Sequence, residues 1–186
     1  MRRFLFKSLR SGLAVIESPG RDTKMVQEVA ETLAKRARQR LGRSLAIREV
    51  DAGSCNGCEL EIHALNNPVY DVERFGLKFV ASPRHADVLL VTGPVTWNMR
   101  QALERTYAAT PEPKWVVAIG DCGCSGGVFA DSRACVGPVS AVIPVDLEIP
   151  GCPPPPIDIL KGLLALIDCV SGSPAEAAPE AETAKP

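Results

Sequence analysis

Cys55 and Cys58 stand three positions apart in Gly53-Ser54-Cys55-Asn56-Gly57-Cys58-Glu59, a turn that can present two thiolates to one centre. Two further cysteines lie in similar surroundings far along the chain, Cys122 in Gly120-Asp121-Cys122-Gly123 and Cys152 in Pro150-Gly151-Cys152-Pro153. A cubane iron–sulfur cluster needs thiolates from several directions, which one C-x-x-C pair and two distant single cysteines can supply. The flanking glycines allow tight turns that bring backbone N–H groups towards the sulfurs and so help to set a reduction potential. The spacing therefore points to one [4Fe–4S] cluster on Cys55, Cys58, Cys122 and Cys152.

Seven cysteines are present, so three are left over. Cys124 competes with Cys122 for the third ligand position, since two residues so close can hardly both bind one cube without strain. Cys122, nearer the expected strand end, is favoured. Cys135 and Cys169 read as small buried or semi-buried apolar residues. A structural zinc site would usually show two C-x-x-C pairs, and a thioredoxin-like redox pair would leave Cys122 and Cys152 unexplained. The odd cysteine count and uneven spacing also suit a cytosolic cluster protein better than a secreted disulfide scaffold.

The elements that must position these thiols follow from the apolar pattern. Runs at 45–50, 77–80, 88–92, 115–119 and 141–145 read as strands, and 59–65, 98–108 and 157–170 as helices. Strands so uniformly apolar, separated by helices, predict an α/β domain with a mostly parallel sheet covered on both faces. Ligands of such sheets lie beyond the carboxyl ends of the strands, and all four candidate thiols follow expected strand ends. Residues 1–44 read as a helical N-terminal extension, 45–170 as the iron–sulfur domain, and 171–186, rich in Ala, Glu, Pro and Ser, as a disordered tail.

In the extension, Met25, Val26, Val29, Leu33, Ala37 and Leu41 recur with helical period, and Gly42 is a plausible stop. Such a helix could cover the domain's own core or dock on a partner. The opening Met1-Arg2-Arg3-Phe4-Leu5-Phe6-Lys7 lacks the apolar region and cleavage site of an export signal and reads as a basic arm. With 21 basic and 22 acidic residues, overall charge supports neither nucleic-acid binding nor electrostatic attachment to a membrane surface. No apolar stretch approaches the ~20 residues of a spanning helix, so membrane association is expected to come through partner subunits.

Four motifs in order carry a resemblance: Cys55-Asn56-Gly57-Cys58-Glu59-Leu60-Glu61; Ser82-Pro83-Arg84-His85-Ala86-Asp87; Gly120-Asp121-Cys122-Gly123-Cys124-Ser125-Gly126-Gly127; and Ile149-Pro150-Gly151-Cys152-Pro153-Pro154. Over about residues 45–165 the chain resembles the small subunit of membrane-bound, energy-converting [NiFe] hydrogenases of the hydrogenase-4 and formate hydrogenlyase type. That subunit shares a superfamily with the cluster-bearing small subunit of respiratory complex I.

The resemblance implies a flavodoxin-like fold and one [4Fe–4S] cluster on the same four cysteines. It implies an electron-transfer role against a large [NiFe]-hydrogenase-like or quinone-site subunit. A ferredoxin-like iron–sulfur subunit and membrane subunits would complete the assembly, at the cytoplasmic face of the cell membrane. Cys124 departs from the family pattern. Complex I subunits characteristically carry adjacent cysteines where this chain has Cys55-x-x-Cys58, which favours the hydrogenase branch.

The resemblance would place Glu59 and Arg84 near the cluster. A helix-capping carboxylate and a surface arginine are equally natural roles for them. His63 and His85 read as surface or interface residues, because four thiolates complete a cube. Two rival readings are a nickel-free, complex I-like assembly around the same subunit and a zinc-stabilised structural module. A flavin protein is disfavoured because thiols occupy the turn where a phosphate-binding loop should offer hydroxyls and free amides.

Overall fold

The computed structural model describes residues 23–170. The expected N-terminal arm and C-terminal tail lie outside the described residues. Helix α1 (Thr23–Leu41) comes first and gives way at Gly42, followed by β1 (Leu45–Asp51) and α2 (Gly57–Ala64). Then come β2 (Leu77–Phe79), β3 (Val88–Thr92), β4 (Val95–Thr96) and α3 (Trp97–Ala109). The chain continues through β5 (Trp115–Ile119), α4 (Gly120–Ser125), β6 (Cys135–Gly137), β7 (Leu147–Ile149) and α5 (Pro156–Val170).

The main sheet runs β2-β1-β3-β5-β7, every neighbouring pair parallel. Numbered by its own strands this is the 2-1-3-4-5 order of the flavodoxin-like fold, as expected. The interior strands show why they read clearly in sequence. Val88 and Leu90 of β3, with Val117 and Ile119 of β5, face one core shared with α1, α2 and α5. Leu89, Val91, Val116 and Ala118 face the other, closed by Leu103 of α3 and by Val139 and Ile143. Each fully buried Leu or Ile contributes about 1.5–3 kcal/mol by leaving water, so two full faces stabilise the centre of the sheet.

Helix α1 buries Val26, Ala30, Leu33 and Ala37 in the first core and packs along α5, with Arg36 paired to Asp168 at 2.5 Å. Its apolar face thus covers the domain's own core. The expected strand at 141–145 does not form. Val139–Ala141 is a 3-10 turn that inserts Val139 and, beyond it, Ile143 into the second core, and the fifth strand of the sheet is β7. β4 and β6 form a separate antiparallel pair.

Two aspartates close the strand-start edge of the sheet in the same way. The Asp87 N–H donates to the Ala46 carbonyl at 2.8 Å, and its carboxylate accepts from the Ala46 N–H at 2.9 Å. Asp146 repeats this with Val116, at 2.9 Å and 2.7 Å. Each ring joins the residue before one strand to the second residue of its neighbour. Arg43 adds a two-point contact to the buried Asp87 carboxylate, at 3.0 Å and 2.5 Å.

Candidate metal centre

At the opposite edge, the segments following β1, β5 and β7 converge. The Asp51 carboxylate at the end of β1 accepts from the N–H groups of Gly53 and Ser54, each at 2.8 Å, and Ser54 Oγ accepts from Asn56 N–H at 3.0 Å. These bonds shape the turn bearing Cys55. Asn56 adopts a left-handed conformation (φ 69°), which a short polar side chain tolerates, and starts α2 so that Cys58 lies in its first turn. Cys122 lies in α4 directly after β5, and Cys152 in the loop after β7.

Cys55, Cys58, Cys122 and Cys152 line one pocket, together with Asp121 and Gly151. All seven cysteines are free thiols. Among the described residues, no three Cys, His, Asp or Glu side chains converge tightly enough to hold a single metal ion. Thiols brought to one pocket from three separate segments suit a cube, whose thiolates bind separate iron corners.

Two glycines make room for this arrangement. Gly120 has φ +80°, and a Cβ there would lie 2.6 Å from Cys58 Sγ. Gly127 has φ +50°, and a Cβ would lie 2.9 Å from Cys122 Sγ. Asp121 ties together the segments that carry Cys122 and Cys152. Its N–H donates to the Gly151 carbonyl at 2.8 Å, and its Oδ1 accepts from the Gly151 N–H at 2.7 Å.

Burial and neighbouring charge raise two of these thiols. Burial, then the Glu59 carboxylate, then Cys55, Cys122 and Cys152 push the Cys58 thiol up to about 12. Burial, then Cys152 and Cys55, raise Cys122 as well, against a hydrogen bond from the Val128 N–H that favours its thiolate. A cationic centre held by these thiols would offset their burial and mutual repulsion, and its binding would release protons. The residues present therefore fit a four-thiolate cluster.

The other cysteines point elsewhere. Cys124 packs against the second core, its Sγ 3.7 Å from the Ala118 carbonyl, and burial followed by the Glu148 charge pushes its thiol up to about 11. Cys135 is half-buried in β6, as expected, whereas Cys169 is exposed on α5, against expectation. An apolar side-chain type near the end of a helix does not fix which face it occupies.

Glu59 is buried behind Cys58. One carboxylate oxygen accepts from the Thr92 hydroxyl, and the other is buried without a partner among the described residues. Arg84 is exposed in the 3-10 turn Pro83–His85 ahead of β3 and does not line the thiol pocket. His63 is exposed, 3.7 Å from Glu49, and His85 is exposed. Sequence reasoning does not single out Asp121 or Thr92. The position of Asp121, between the end of β5 and Cys122, is the readable signal.

Residues 55–166 match the family described as NADH ubiquinone oxidoreductase, 20 Kd subunit. The chain belongs to this family. It is 50% identical over 128 residues to a probable membrane-bound hydrogenase subunit of Pyrococcus furiosus, covering 69% of this chain and 77% of that protein. It is 48% identical over 124 residues to formate hydrogenlyase subunit 7 of Escherichia coli, covering 67% of this chain and 49% of that one. An NADH-quinone oxidoreductase subunit from Heliobacterium modesticaldum is 48% identical over 110 residues, covering 59% and 63%.

A chain in the structure of the membrane-bound sulfane sulfur reductase, an archaeal respiratory membrane complex, superposes with a TM-score of 0.62 at 35% identity, covering 75% of this chain and 76% of that one. The family's relatives are thus subunits of oxidoreductase complexes. Among the described residues no helix is long and apolar enough to cross a membrane.

Proposed function

We propose that the chain holds one [4Fe–4S] cluster through Cys55, Cys58, Cys122 and Cys152 and passes electrons within a membrane-associated, [NiFe]-hydrogenase-like complex. Its partners are a large catalytic subunit and a ferredoxin-like iron–sulfur subunit, with membrane subunits reached through the complex at its cytoplasmic face. The observation that carries this reading is the convergence of four thiols from three separate segments on one pocket. The relatives from membrane-bound hydrogenase and formate hydrogenlyase support the setting.

The cluster, when bound, supplies a one-electron centre. The chain's own residues hold it and set its surroundings. The C-x-x-C turn offers two thiolates from one side, and α4 and the loop after β7 offer the others. The Val128 N–H favours the Cys122 thiolate, and a hydrogen bond of that kind to a ligand sulfur would raise a potential. Leu60, Val128 and Phe129 are exposed large apolar side chains on the segments that carry Cys58 and Cys122 or follow them directly. Apolar surface of this kind around a redox centre suits cover by a partner subunit, which also excludes water from the electron's path.

The 48% identity to an NADH-quinone oxidoreductase subunit supports a second setting, a nickel-free complex with quinone or ferredoxin chemistry in the large subunit. Paired C-x-x-C motifs in the large subunit would distinguish the two. The ligand set is tested on the complex purified anaerobically. The wild-type complex is expected to contain iron, acid-labile sulfide and a reducible paramagnetic centre. Cys152→Ser should lose or convert that centre, and Cys169→Ser should not. Equal iron in both variants overturns the assignment, and zinc in place of iron overturns the reading in favour of a structural zinc module.

A further inference from the structure

The carboxylate ring that Asp87 and Asp146 form at the strand-start edge occurs a third time, at Asp121. There the main-chain ladder between β5 and β7 ends at Ile119 and Ile149, because β5 turns into α4 and β7 into the Cys152 loop. The Asp121–Gly151 ring carries the connection beyond that end, through bonds of 2.8 Å and 2.7 Å. Asp121 directly precedes Cys122, and Gly151 directly precedes Cys152. The first two rings stand at strand starts, where they close the sheet. The third joins two loops that carry thiols and borders the pocket itself.

We infer that Asp121 is a positioning and tuning residue for the cluster: its hydrogen bonds fix the separation of Cys122 and Cys152, and its negative charge holds the reduction potential down. The inference rests on the four-thiol reading above. The two roles have separate physical causes. Register between the two ligands depends on an acceptor at the Oδ1 position, whatever its charge. The potential depends on charge, because adding an electron beside a fixed anion costs more than adding it beside a neutral group, and local charge is one of the determinants of cluster potential.

Asp121→Asn keeps an acceptor oxygen for the Gly151 N–H and removes the charge. Asp121→Ala removes both. Asp146→Asn makes the same chemical change in a ring at the far edge of the sheet and serves as the control.

All three variants and the wild type are compared in the intact complex, purified anaerobically, for iron per chain and for midpoint potential by redox titration followed by electron paramagnetic resonance. Asp121→Asn is expected to keep wild-type iron and move the midpoint to more positive potential. Asp121→Ala is expected to lose iron, and Asp146→Asn to change neither quantity. An unshifted midpoint in Asp121→Asn, or full iron in Asp121→Ala, overturns this inference alone. Absence of a reducible cluster from the wild-type complex overturns the electron-transfer reading as well.

Discussion

The two edges of the sheet use similar local chemistry for different ends. At the strand-start edge, Asp87 and Asp146 bind the backbone of neighbouring strands, and their surroundings are ordinary surface and core. At the strand-end edge, Asp121 forms the same ring, but it stands among glycines and thiols crowded closely enough to raise one another's proton affinity. One edge closes a sheet. The other gathers thiols whose burial and proximity raise the proton affinity of Cys58 and Cys122. The contrast implies that damage at the first edge should appear in stability, and damage at the second in cluster content.

The largest effect expected from a residue that is not itself a ligand is at Gly120. Gly120→Ala places a methyl 2.6 Å from Cys58 Sγ on a backbone with φ +80° that L side chains rarely adopt. The Cys58 thiol must move, and the variant should lose most of its iron while keeping the four cysteines. Iron analysis with visible absorption checks this, and wild-type iron content would contradict the crowding seen around Gly120.

Asp87→Ala should produce the reverse pattern. It removes a buried charged acceptor from the Ala46 N–H and from Arg43, a loss of about 2–3 kcal/mol for a charge-assisted hydrogen bond and the donor left behind. In a domain of this size that corresponds to a melting temperature lower by roughly 5–10 °C. The cluster's midpoint potential should not move. A shifted midpoint would mean that the two edges are mechanically coupled through β3.

The same contrast governs what can be read from sequence. β3 and β5 are legible because both of their faces are buried, which leaves an apolar run and few alternatives, whereas β1 carries the half-buried Arg48 and Glu49 after its apolar start. β7 is an edge strand whose central residue, Glu148, is exposed, so Leu147-Glu148-Ile149 gives little signal. The apolar run at 141–145 reads as that strand, yet it marks burial without marking conformation, and Val139 and Ile143 reach the core from an irregular segment. Helix α4 is hidden because Gly-Asp-Cys-Gly-Cys-Ser has poor intrinsic helix propensity, and its position is set by the end of β5. β4 and β6 escape notice because each is only a few residues long and its partner is distant.

The four thiols are legible for a different reason: each follows a strand, and the fold places everything that follows a strand at one edge. Asp121 is not, because its partner Gly151 is thirty residues away and nothing local to either residue announces the other. Pairwise register across loops is a tertiary property. The glycines are visible as turn formers, but which sulfur each one clears emerges only from the packed site.

The smallest expected effect concerns the cysteine that sequence alone does not fully set aside. Cys124 stands two residues from Cys122 but on the opposite side of α4, where it packs against the second core and approaches the Ala118 carbonyl. Cys124→Ser replaces a half-buried thiol with a smaller hydroxyl of similar shape, so the change in stability should stay within about 1 kcal/mol. Iron content and midpoint potential should match the wild type, since the sulfur faces away from the pocket. Cys122→Ser, two positions earlier, should lose or convert the cluster. If the pair behaved the other way round, α4 would have to rotate by roughly half a turn, which would break the Asp121–Gly151 ring and the fit of Gly127 against Cys122.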